Sequence, residues 1–471
     1  MYDIIIIGAG SGGLNIAGFM ARVGLRILLI DKTDNHIGGD CLNTGCIPSK
    51  SLIHIARTIA ESKKASAYGI SVTGEVDIPS VMKAIKDKIE TIRTHENAEH
   101  FRSLGIDVVL GEASFVSRNE VQVWSTQYKG KKIIIATGSR PRELTLEGIK
   151  NAQVVTNESI FQIITLPKKL LVVGVGPIGI ELGQAFCMLG VDVTFVTNEL
   201  RILPREQKSY ANVIQRTISK QGGTFLFGKT MVHIENGNTL VTEDTVSKEK
   251  TTTTFDLILV AIGREIKLDH LMLEKADVEV EKGKIIVNDY LQTTNKNIYV
   301  CGDVAGGYQF THAAELHAQV ILNNLFNPFF KKKLSYDRFS WVTYTTPELA
   351  TFGQSEAMLT KKHIDYEKIT TTFIDDDRAI TQGQTDGLSE IYIDTKTKRI
   401  LGGTMVADNA GEIVQELILA VEAKIPIKKF MDKIYPYPTA TRINKKLVSG
   451  YLAKKLTKNT IQLLRWIYAI M

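Results

Sequence analysis

Two runs of apolar residues stop at a glycine, and the chain after each run follows the same pattern. Residues 4–7 end at Gly8 and residues 170–173 end at Gly174, so the two runs start 166 residues apart. Short aliphatic runs of this kind predict strands that are buried on both faces of a parallel sheet. A helix-like stretch and a second apolar strand, 27–30 or 193–196, follow each run. The sequence therefore predicts an internal duplication of a βαβ unit.

Apolar periodicity predicts further elements in the rest of the chain. Residues 49–61 and 81–104 have helical spacing, and residues 108–135 form a cluster of β-prone segments. Two short apolar strands are predicted at 257–260 and 298–300. The last third has no glycine fingerprint, and it alternates predicted strands (389–394, 400–406) with predicted helices (411–423, 442–456). This change predicts a separate α+β domain that starts near Phe339.

Composition narrows the class of protein. The chain has 471 residues, of which 44% are hydrophobic and 23% charged. These values exclude a disordered chain, a fibrous repeat and a membrane protein with many spans. Four cysteines exclude a secreted disulfide framework and indicate a reducing compartment, so we expect a cytoplasmic location. The apolar start lacks a basic segment and a cleavage site, which predicts a strand rather than a signal peptide.

The positive charge is concentrated at the C-terminus. Fifty-seven basic and 51 acidic residues give +6, but from Lys433 onward there are eight basic and no acidic residues, so the preceding part sums to −2. We therefore expect no nucleic-acid binding by the body of the protein. Residues 461–471 are nearly all apolar and too few to span a bilayer. Two interpretations stay open: a helix that packs on the body or on a partner subunit, and a peripheral contact with an anionic membrane surface.

The first glycine cluster predicts a dinucleotide site. Gly8, Gly10 and Gly13 have the spacing that allows a tight turn, close approach of a pyrophosphate, and packing of the helix on the strand. Asp31 lies 23 residues after Gly8, at the end of the second strand, where a carboxylate can accept from ribose hydroxyls.

The second cluster has the same glycines but not the acid. Thr197 stands at the position that corresponds to Asp31, and Arg201 and Arg205 follow it. Guanidinium groups here would meet a 2′-phosphate and favour NADP over NAD. The alternative is that these arginines belong to a solvated loop, and it stays open.

A cysteine pair carries the most specific signal. Cys41 and Cys46 are separated by four residues, with Pro48 and Lys50 directly after them. A cysteine near a helix N-terminus and a lysine has a stabilised thiolate, as disulfide exchange requires. Cys187 and Cys301 stand alone, and we interpret them as small core residues.

These motifs resemble those of the pyridine nucleotide-disulfide oxidoreductases, the flavoenzymes that include glutathione reductase, dihydrolipoamide dehydrogenase and mercuric reductase. The resemblance covers almost the whole chain. Besides the cysteine segment (39–50) and the two glycine clusters, it rests on residues 136–141, 261–264 and 301–304, in the family's order and approximate spacing.

The resemblance implies an α/β fold with two Rossmann-like dinucleotide-binding domains and a C-terminal α+β dimerisation domain. The FAD-binding domain would be discontinuous, comprising residues 1–142 and 274–338. The NAD(P)-binding domain would occupy residues 143–273. The dimerisation domain, with its basic tail, would occupy residues 339–471.

The resemblance also implies site residues. Catalytic roles fall on Cys41, Cys46, Lys50, Glu181 and Tyr437, and no metal ligand is expected. Cofactor-binding roles fall on Gly8, Gly10, Ser11, Gly12, Gly13, Asp31, Lys32, Lys50, Ala113, Thr137, Gly138, Ser139, Gly174, Gly176, Pro177, Ile178, Gly179, Glu181, Thr197, Val232, Gly263, Arg264, Gly302, Asp303, His312 and Ala313. Lys50 would pair with Glu181 beside the flavin. His312 is open to two interpretations, a catalytic base or a capping or buried histidine.

The implied function is an FAD-dependent enzyme that passes electrons between NADPH or NADH, FAD and a Cys41–Cys46 disulfide. Cys46 would lie nearer the flavin and Cys41 would serve a disulfide, dithiol or soft-metal acceptor. A homodimer follows if Tyr437 completes the neighbouring subunit's site. The alternative function is a redox-sensing or electron-delivering flavoprotein that acts on a protein or membrane partner.

One segment departs from the family pattern. Tyr437 and Arg442 stand where glutathione reductase and dihydrolipoamide dehydrogenase have a histidine and a glutamate. A phenol is a poor base near neutral pH compared with an imidazole, so we expect slow turnover of dihydrolipoamide and glutathione disulfide. Mercuric reductases carry tyrosine here. They also carry a C-terminal cysteine pair and usually an N-terminal metal-binding domain, whereas no cysteine follows Cys301 in this sequence and the first predicted strand starts at residue 4.

Overall fold

A computed structural model describes residues 1–327 and 329–471, and it divides into two compact units. Unit 1 comprises residues 1–200 and 223–334, and unit 2 comprises residues 201–222 and 335–471. The stretch 201–222, which the expected boundaries assign to the NAD(P) domain, has its contacts mainly with unit 2. The domain boundaries themselves stay predictions.

In unit 1, strand–helix–strand segments are separated by longer runs of strands, and unit 2 combines mainly antiparallel strands with short helices. The strands are β1 (Tyr2–Ile7), β2 (Ile27–Asp31), β3 (Asp107–Leu110), β4 (Ala113–Ser117), β5 (Glu120–Val123), β6 (Thr126–Ile135), β7 (Arg140–Pro141), β8 (Val154–Val155), β9 (Lys169–Val173), β10 (Asp192–Val196), β11 (Thr224–Leu226), β12 (Lys229–Glu235), β13 (Thr239–Asp244), β14 (Lys250–Thr254), β15 (Leu257–Val260), β16 (Arg264–Glu265), β17 (Val280–Glu281), β18 (Lys284–Ile285), β19 (Ile298–Val300), β20 (Ser340–Thr343), β21 (Glu348–Gly353), β22 (Tyr366–Thr372), β23 (Leu388–Asp394) and β24 (Ile400–Ala407). The helices are α1 (Ser11–Arg22), α2 (Gly39–Asn43), α3 (Cys46–Lys64), α4 (Ile78–Arg93), α5 (Ala98–Ser103), α6 (Pro177–Met188), α7 (Lys208–Lys220), α8 (Thr311–Phe326), α9 (Glu356–Lys361), α10 (Asp377–Gln382), α11 (Ala410–Ile413), α12 (Gln415–Glu422), α13 (Lys429–Asp432), α14 (Arg442–Lys454) and α15 (Lys458–Ile470).

The first sheet of unit 1 is built around β1. Its parallel part runs in the order β3-β2-β1-β6, with β19 beside β6, and β4 and β5 continue it antiparallel. Ile4 and Ile6 pack in one apolar core while Ile5 and Ile7 pack in another. Because successive side chains of a strand point to opposite faces, this four-residue run needs apolar cover on both sides of the sheet, as the sequence predicts.

The second sheet of unit 1 repeats the arrangement around β9. Its order is β11-β10-β9-β15-β8, and the pairs are parallel. β1 and β9 each lead through a glycine turn into a helix, α1 or α6. In a parallel sheet such turns lie at the carboxyl ends of the strands, where nucleotides bind.

Unit 2 has an antiparallel sheet of different design. Its order is β20-β21-β24-β23-β22, and its core includes residues of α12 and α14. Ile443, Leu447 and Val448 of α14 are fully buried there. The predicted α+β character of this region is therefore observed.

One helical pattern in the sequence corresponds to more than one helix. Residues 81–104 show helical spacing, and the structure forms two helices in and around this range, because α4 ends at Arg93 and α5 starts at Ala98. The side chain of Asn97 accepts a hydrogen bond from the backbone of His100 at 2.8 Å and so caps α5. This N-cap favours a new start over continuation. Residues 1–327 and 329–471 contain no helix with the combination of length and apolar character that a membrane span requires.

Candidate active site

The turn between β1 and α1 has room only for glycine at two positions. Gly8 has φ +105°, and a Cβ there would lie 2.3 Å from the carbonyl oxygen of Ala136. A Cβ on Gly13 would lie 2.0 Å from the carbonyl oxygen of Gly8. Helix α1, all of whose residues are described, has no side-chain cap and no acidic residue in its first turn. Its first backbone N–H groups therefore point at a position suited to a phosphate.

Asp31 holds this turn to the end of β2. Its carboxylate accepts hydrogen bonds from the backbone N–H groups of Ala9 and Lys32, each at 2.6 Å. Burial raises the pKa of this carboxyl, and the two backbone donors oppose that rise. Each oxygen keeps a further lone pair, which suits acceptance from ribose hydroxyls.

The segment with the cysteines crosses the first glycine turn. Gly39 has φ +59°, and a Cβ there would lie 2.8 Å from the Cα of Gly10. The two backbones can approach this closely because neither residue carries a side chain. Gly39 begins α2, which contains Cys41, and Cys46 begins α3.

Cys41 and Cys46 are both thiols in this structure, and each is partly buried. A hydrogen bond from Cys41, the Thr311 hydroxyl and the Lys50 charge lower the pKa of Cys46 to about 6, against the effect of burial. The sulfur of Cys46 lies 3.3 Å from the Thr311 hydroxyl, at the N-terminus of α8. The bond to Cys46 and burial raise the pKa of Cys41. The pair is therefore polarised, with a thiolate at Cys46 and a protonated thiol at Cys41 near neutral pH.

Lys50 and Glu181 form an ion pair at 2.8 Å between α3 and α6. Glu181 has 8% of its side chain exposed, which argues against the interpretation of an exposed helix acid. Lys50 lies one helical turn after Cys46, so its ammonium contributes positive charge near that sulfur. The structure thus joins the helix after the cysteines to the helix after the second glycine turn.

An ionic cluster that the sequence did not reveal lies beside the cysteines. Arg264 donates to the Ser139 hydroxyl at 2.7 Å and forms an ion pair with Asp40. Ser139 in turn donates to Asp303 at 2.5 Å. Three predicted residues are thereby brought together, and Asp40 was missed as their partner. Its only sequence signal was its place next to Cys41.

Glu96 is a second residue that the sequence reasoning missed. A Cβ on Gly38 would lie 2.7 Å from a carboxyl oxygen of Glu96, which places Glu96 at the start of the cysteine segment. Burial raises the pKa of Glu96, and its negative charge helps to raise the pKa of Cys41. No sequence pattern connects Glu96 to this position.

The residues present fit a bound FAD. The hydroxyl oxygen of Thr137 is buried and has no hydrogen-bond partner in the described part of the chain. Gly138, with φ +68°, has no described atom within 4 Å of its Cβ position, so the backbone borders open space there. Gly302 donates its N–H to the buried His317 at 3.1 Å, and burial lowers the pKa of His317 to about 4. An uncapped helix, an orphan hydroxyl and open glycines suit a pyrophosphate and its polar chain.

The second glycine turn is similar in shape but more open. A Cβ on Gly174 or on Gly179 would lie 2.4 Å from a backbone carbonyl oxygen, whereas a Cβ on Gly176 or Gly263 meets no atom of residues 1–327 and 329–471 within 4 Å. Helix α6 begins with Pro177 and Ile178, and this fully described helix has no side-chain cap at its start. The backbone N–H groups of its first turn fit the phosphates of a nicotinamide dinucleotide.

Thr197 directly follows β10, at the position that corresponds to Asp31 after the first glycine turn, but it carries a hydroxyl instead of a carboxylate. Its hydroxyl accepts from the backbone N–H of Glu199 at 3.1 Å. Val232 lies at a bulge in β12, where the register with β13 shifts. In unit 2, Arg201 donates to the carbonyl oxygens of Glu206 and Pro204. Its guanidinium is thus already engaged locally, and nicotinamide preference stays a prediction.

The remaining predicted cofactor residues lie on unit 1. Lys32 pairs with Glu112 at 3.2 Å on the surface, and Ala113 is buried at the start of β4. The ring of His312 stacks on Phe310 with centroids 5.3 Å apart, while Ala313 is fully buried. Ser11 and Gly12 open α1, and a Cβ on Gly12 would lie 2.6 Å from the sulfur of Cys301. Cys301 and Cys187 are both buried, as expected for core residues.

Tyr437 lies in unit 2 with 66% of its surface exposed. Its hydroxyl donates to Asp377 at 3.3 Å, and the guanidinium of Arg442 lies 5.1 Å from the centre of its ring. The two residues that depart from the family pattern thus contact each other. Among the described residues, no group of three or more His, Cys, Asp or Glu side chains is arranged to hold a metal ion.

Comparisons with known proteins cover nearly the whole chain. The sequence profile of the pyridine nucleotide-disulphide oxidoreductases matches residues 2–318, and that of their dimerisation domain matches residues 339–447. The chain is 32% identical to a dihydrolipoyl dehydrogenase of Mycoplasma genitalium over 96% of this chain and all of that protein. It is 30% identical to a mercuric reductase of Lysinibacillus sphaericus over 93% of this chain and 80% of that protein.

A solved structure agrees with the same family. The Cu(II) complex of RclA, a HOCl-induced flavoprotein disulfide reductase from Escherichia coli, matches with a TM-score of 0.83 and 26% identity, over 95% of this chain and 99% of that one. These findings confirm the predicted fold class, the predicted oxidoreductase activity and the cofactors FAD and NAD(P)H, and the dimerisation domain supports a homodimer. The chain therefore belongs to the pyridine nucleotide-disulphide oxidoreductases, as an FAD-dependent enzyme that exchanges electrons with NAD(P)H.

Proposed function

We propose that Cys41 and Cys46 are the redox-active pair of this enzyme and that Cys41 delivers electrons to a disulfide or a soft metal ion. The observation that carries the proposal is the polarisation of the two sulfurs. Cys46 has its pKa lowered to about 6, while the hydrogen bond to Cys46 and burial raise the pKa of Cys41. Such a pair has one sulfur ready as a thiolate and the other as its proton donor.

Residues 8–13, Asp31, Thr137 and Asp303 would hold FAD, and residues 174–179 would hold the nicotinamide dinucleotide. Bound FAD would supply two-electron transfer between reduced nicotinamide and the Cys41–Cys46 disulfide. The Lys50 ammonium and the Thr311 hydroxyl stabilise the negative charge on Cys46. Glu181 in turn keeps Lys50 in place through the 2.8 Å ion pair.

For a disulfide acceptor, the two sulfurs act in sequence. Cys41 passes its proton to Cys46 as it attacks one acceptor sulfur, and Cys46 passes the proton on to the other acceptor sulfur, which leaves as a thiol. The Cys46 thiolate then attacks Cys41, releases the second acceptor sulfur as a thiolate, and closes the Cys41–Cys46 disulfide. The acceptor gains two electrons, and the dithiol loses two.

A soft metal ion fits the same pair. Thiolates are the preferred ligands of soft cations, so Cys41 and Cys46 would both bind Hg²⁺, and bound FAD in its reduced form would supply the two electrons for its reduction. Two relatives support this part of the proposal, the mercuric reductase by its name and the RclA structure by its bound Cu(II). The metal would be a substrate.

Tyr437 and Arg442 bear on the choice of acceptor. If the neighbouring subunit's site lacks an imidazole, protonation of a leaving thiolate slows, whereas a metal ion needs no such proton. We therefore propose slower turnover with lipoamide and glutathione disulfide than with Hg²⁺ or Cu²⁺.

Steady-state turnover of these four acceptors tests the proposal. Cys41→Ser is expected to abolish turnover of all of them while reduction of FAD by NAD(P)H remains measurable. The double variant Tyr437→His and Arg442→Glu is expected to raise disulfide turnover and leave metal turnover unchanged. Full activity of Cys41→Ser would contradict the role of the pair.

The second candidate is a redox-sensing or electron-delivering flavoprotein for a protein or membrane partner. The exposed apolar surface of the last helix favours it. Fast reduction by NAD(P)H with slow turnover of every small acceptor would support this candidate, and fast dihydrolipoamide turnover would exclude it. A cytoplasmic location stays part of both proposals.

A further inference from the structure

Helix α15, at the C-terminus, presents apolar side chains that the described part of the chain leaves exposed. None of its 13 residues is buried, and Trp466, Leu463 and Ile470 are 61%, 54% and 63% exposed. An isolated helix shorter than about 12–15 residues is only marginally stable in water. The absence of any buried side chain among the 13 described residues of α15 argues against the interpretation that the tail packs on its own body.

The side chains of α15 are largely segregated around its axis, with Asn459 and Thr460 of the first turn as polar exceptions on the apolar side. With about 100° of rotation per residue, Lys458, Gln462 and Arg465 fall on one narrow strip. The apolar residues occupy more than half of the remaining circumference. They are Ile461, Leu463, Leu464, Trp466, Ile467, Tyr468 and Ile470.

The C-terminal segment that ends in α15 is basic. Lys433 and Lys455 form ion pairs with Glu416 and Glu367 in unit 2. Lys454, Lys458 and Arg465 are exposed, and no acidic residue occurs after Asp432. The helix therefore joins an apolar arc to an excess of positive charge.

We propose that α15 lies in the interface of an anionic phospholipid bilayer, with its apolar arc at the acyl boundary and its basic strip at the headgroups. Positive charge complements the anionic surface, and Trp466 and Tyr468 are residue types enriched at membrane interfaces. A two-stranded coiled-coil seam against a second copy of this chain would call for a narrower apolar stripe. The helix does not span the bilayer, because its length is insufficient. The enzyme would thus be recruited to a membrane surface, independently of its acceptor.

Sedimentation with vesicles tests the proposal on the full-length FAD-loaded protein. We expect the protein to sediment with vesicles of phosphatidylcholine and phosphatidylglycerol, and to stay in solution with phosphatidylcholine alone or at high salt. Two double variants are each expected to lose at least about tenfold in vesicle affinity. One combines Trp466→Asp with Ile467→Asp, and the other combines Lys458→Glu with Arg465→Glu. Gln462→Ala is the matched control on the polar strip and is expected to bind normally. Dye reduction by NAD(P)H should be unchanged in all of them.

Fluorescence quenching by brominated lipid gives the depth of the helix. Vesicles with brominated lipid should quench the tryptophan fluorescence of the wild-type protein. Trp466→Phe should still bind the vesicles but lose this quenching, because the other tryptophans lie outside α15. Two outcomes would overturn the proposal. One is wild-type protein that stays in solution with anionic vesicles, or binds no better than the Trp466→Asp with Ile467→Asp variant. The other is conversion of a lipid-free dimer to monomers by that same variant, since α15 would then be a contact between subunits.

Discussion

The two glycine turns of unit 1 have the same backbone shape but different surroundings. Gly8 and Gly174 have φ of +105° and +107°, and each faces a carbonyl oxygen. The first turn is crossed by Gly39 of the cysteine segment, whereas the Cβ position of Gly176 in the second is open. Asp31 ties the first turn to its strand, and Thr197 offers no carboxylate at the second.

This difference indicates how one duplicated unit serves two purposes. A turn that is covered by the redox segment suits a cofactor that stays bound and remains next to the cysteines. An open turn suits a dinucleotide that enters and leaves in each cycle. The Lys50–Glu181 ion pair connects the helices that follow the cysteine segment and the second turn.

The largest effect is expected from breaking this connection. Lys50→Met removes the ammonium that pairs with the buried Glu181; because Lys50 itself is 36% exposed, the expected loss of unfolding free energy is about 2–4 kcal/mol, less than for a fully buried pair. Arg57→Met is the control, because it breaks the Arg57–Glu61 pair on the same helix near the surface and is expected to cost about 0–1 kcal/mol. Urea unfolding measures both, and equal losses would contradict the structural role of Lys50.

Substitutions at Gly39 and Gly176 test the covered and the open turn directly. Gly39→Ala places a Cβ against the Gly10 backbone in a left-handed conformation and is expected to cost about 2–4 kcal/mol and to release FAD. Gly176→Ala meets open space and is expected to cost about 1 kcal/mol or less, while the KM for NAD(P)H rises. Flavin content after gel filtration separates the two variants. Equal flavin loss would contradict the comparison.

The pH dependence of the cysteines sharpens the assignment of the covered side. The pKa of Cys46 is lowered to about 6 in the folded protein. The Cys46 thiolate therefore stabilises the folded state fully at pH values above the ordinary pKa of a thiol. This contribution shrinks as the pH is lowered and is lost below about pH 6. Thiolate absorbance of the reduced protein should fall through the same range. Cys41→Ala removes the hydrogen-bond donor and should move the midpoint upward. Glu96→Gln should instead lower the pKa of Cys41 and leave the midpoint of Cys46 in place.

The smallest effect is expected at the open turn. Thr197→Asp supplies the carboxylate that the first copy has in Asp31, and a hydrogen bond to a charged group is worth about 1.5–3 kcal/mol. The ratio of kcat/KM for NADH over NADPH should therefore rise about tenfold or more. Thr197→Val is the control without a carboxylate. An unchanged ratio would mean that Thr197 lies away from the ribose.

Local patterns predicted most of the fold. The apolar runs at 4–7 and 170–173 are strands because a β-branched or aliphatic run bounded by glycine has few other stable conformations. The helical pattern at 81–104 did not predict that two helices form there, because the Asn97 cap interrupts an apolar pattern that continues across it. Periodicity carries no information about such a cap.

The candidate site was predictable where a motif fixes both residue type and position, as for Cys41, Cys46 and the glycines. Asp40 and Glu96 were not predictable, because their roles depend on contacts with residues distant in sequence, Arg264 and Gly38. The exposure of α15 was not predictable either, since an apolar sequence at a terminus is equally compatible with burial and with exposure.

The central claim is that Cys41 and Cys46 exchange an electron pair with bound FAD. Anaerobic titration with NADH or NADPH tests it most directly, by absorbance in the region where a thiolate next to oxidised flavin absorbs at long wavelength. The account predicts that this band appears after one equivalent in the wild-type enzyme, persists in Cys41→Ser, and is absent in Cys46→Ser. The same band in Cys46→Ser, or no band in any of the three proteins, would contradict it.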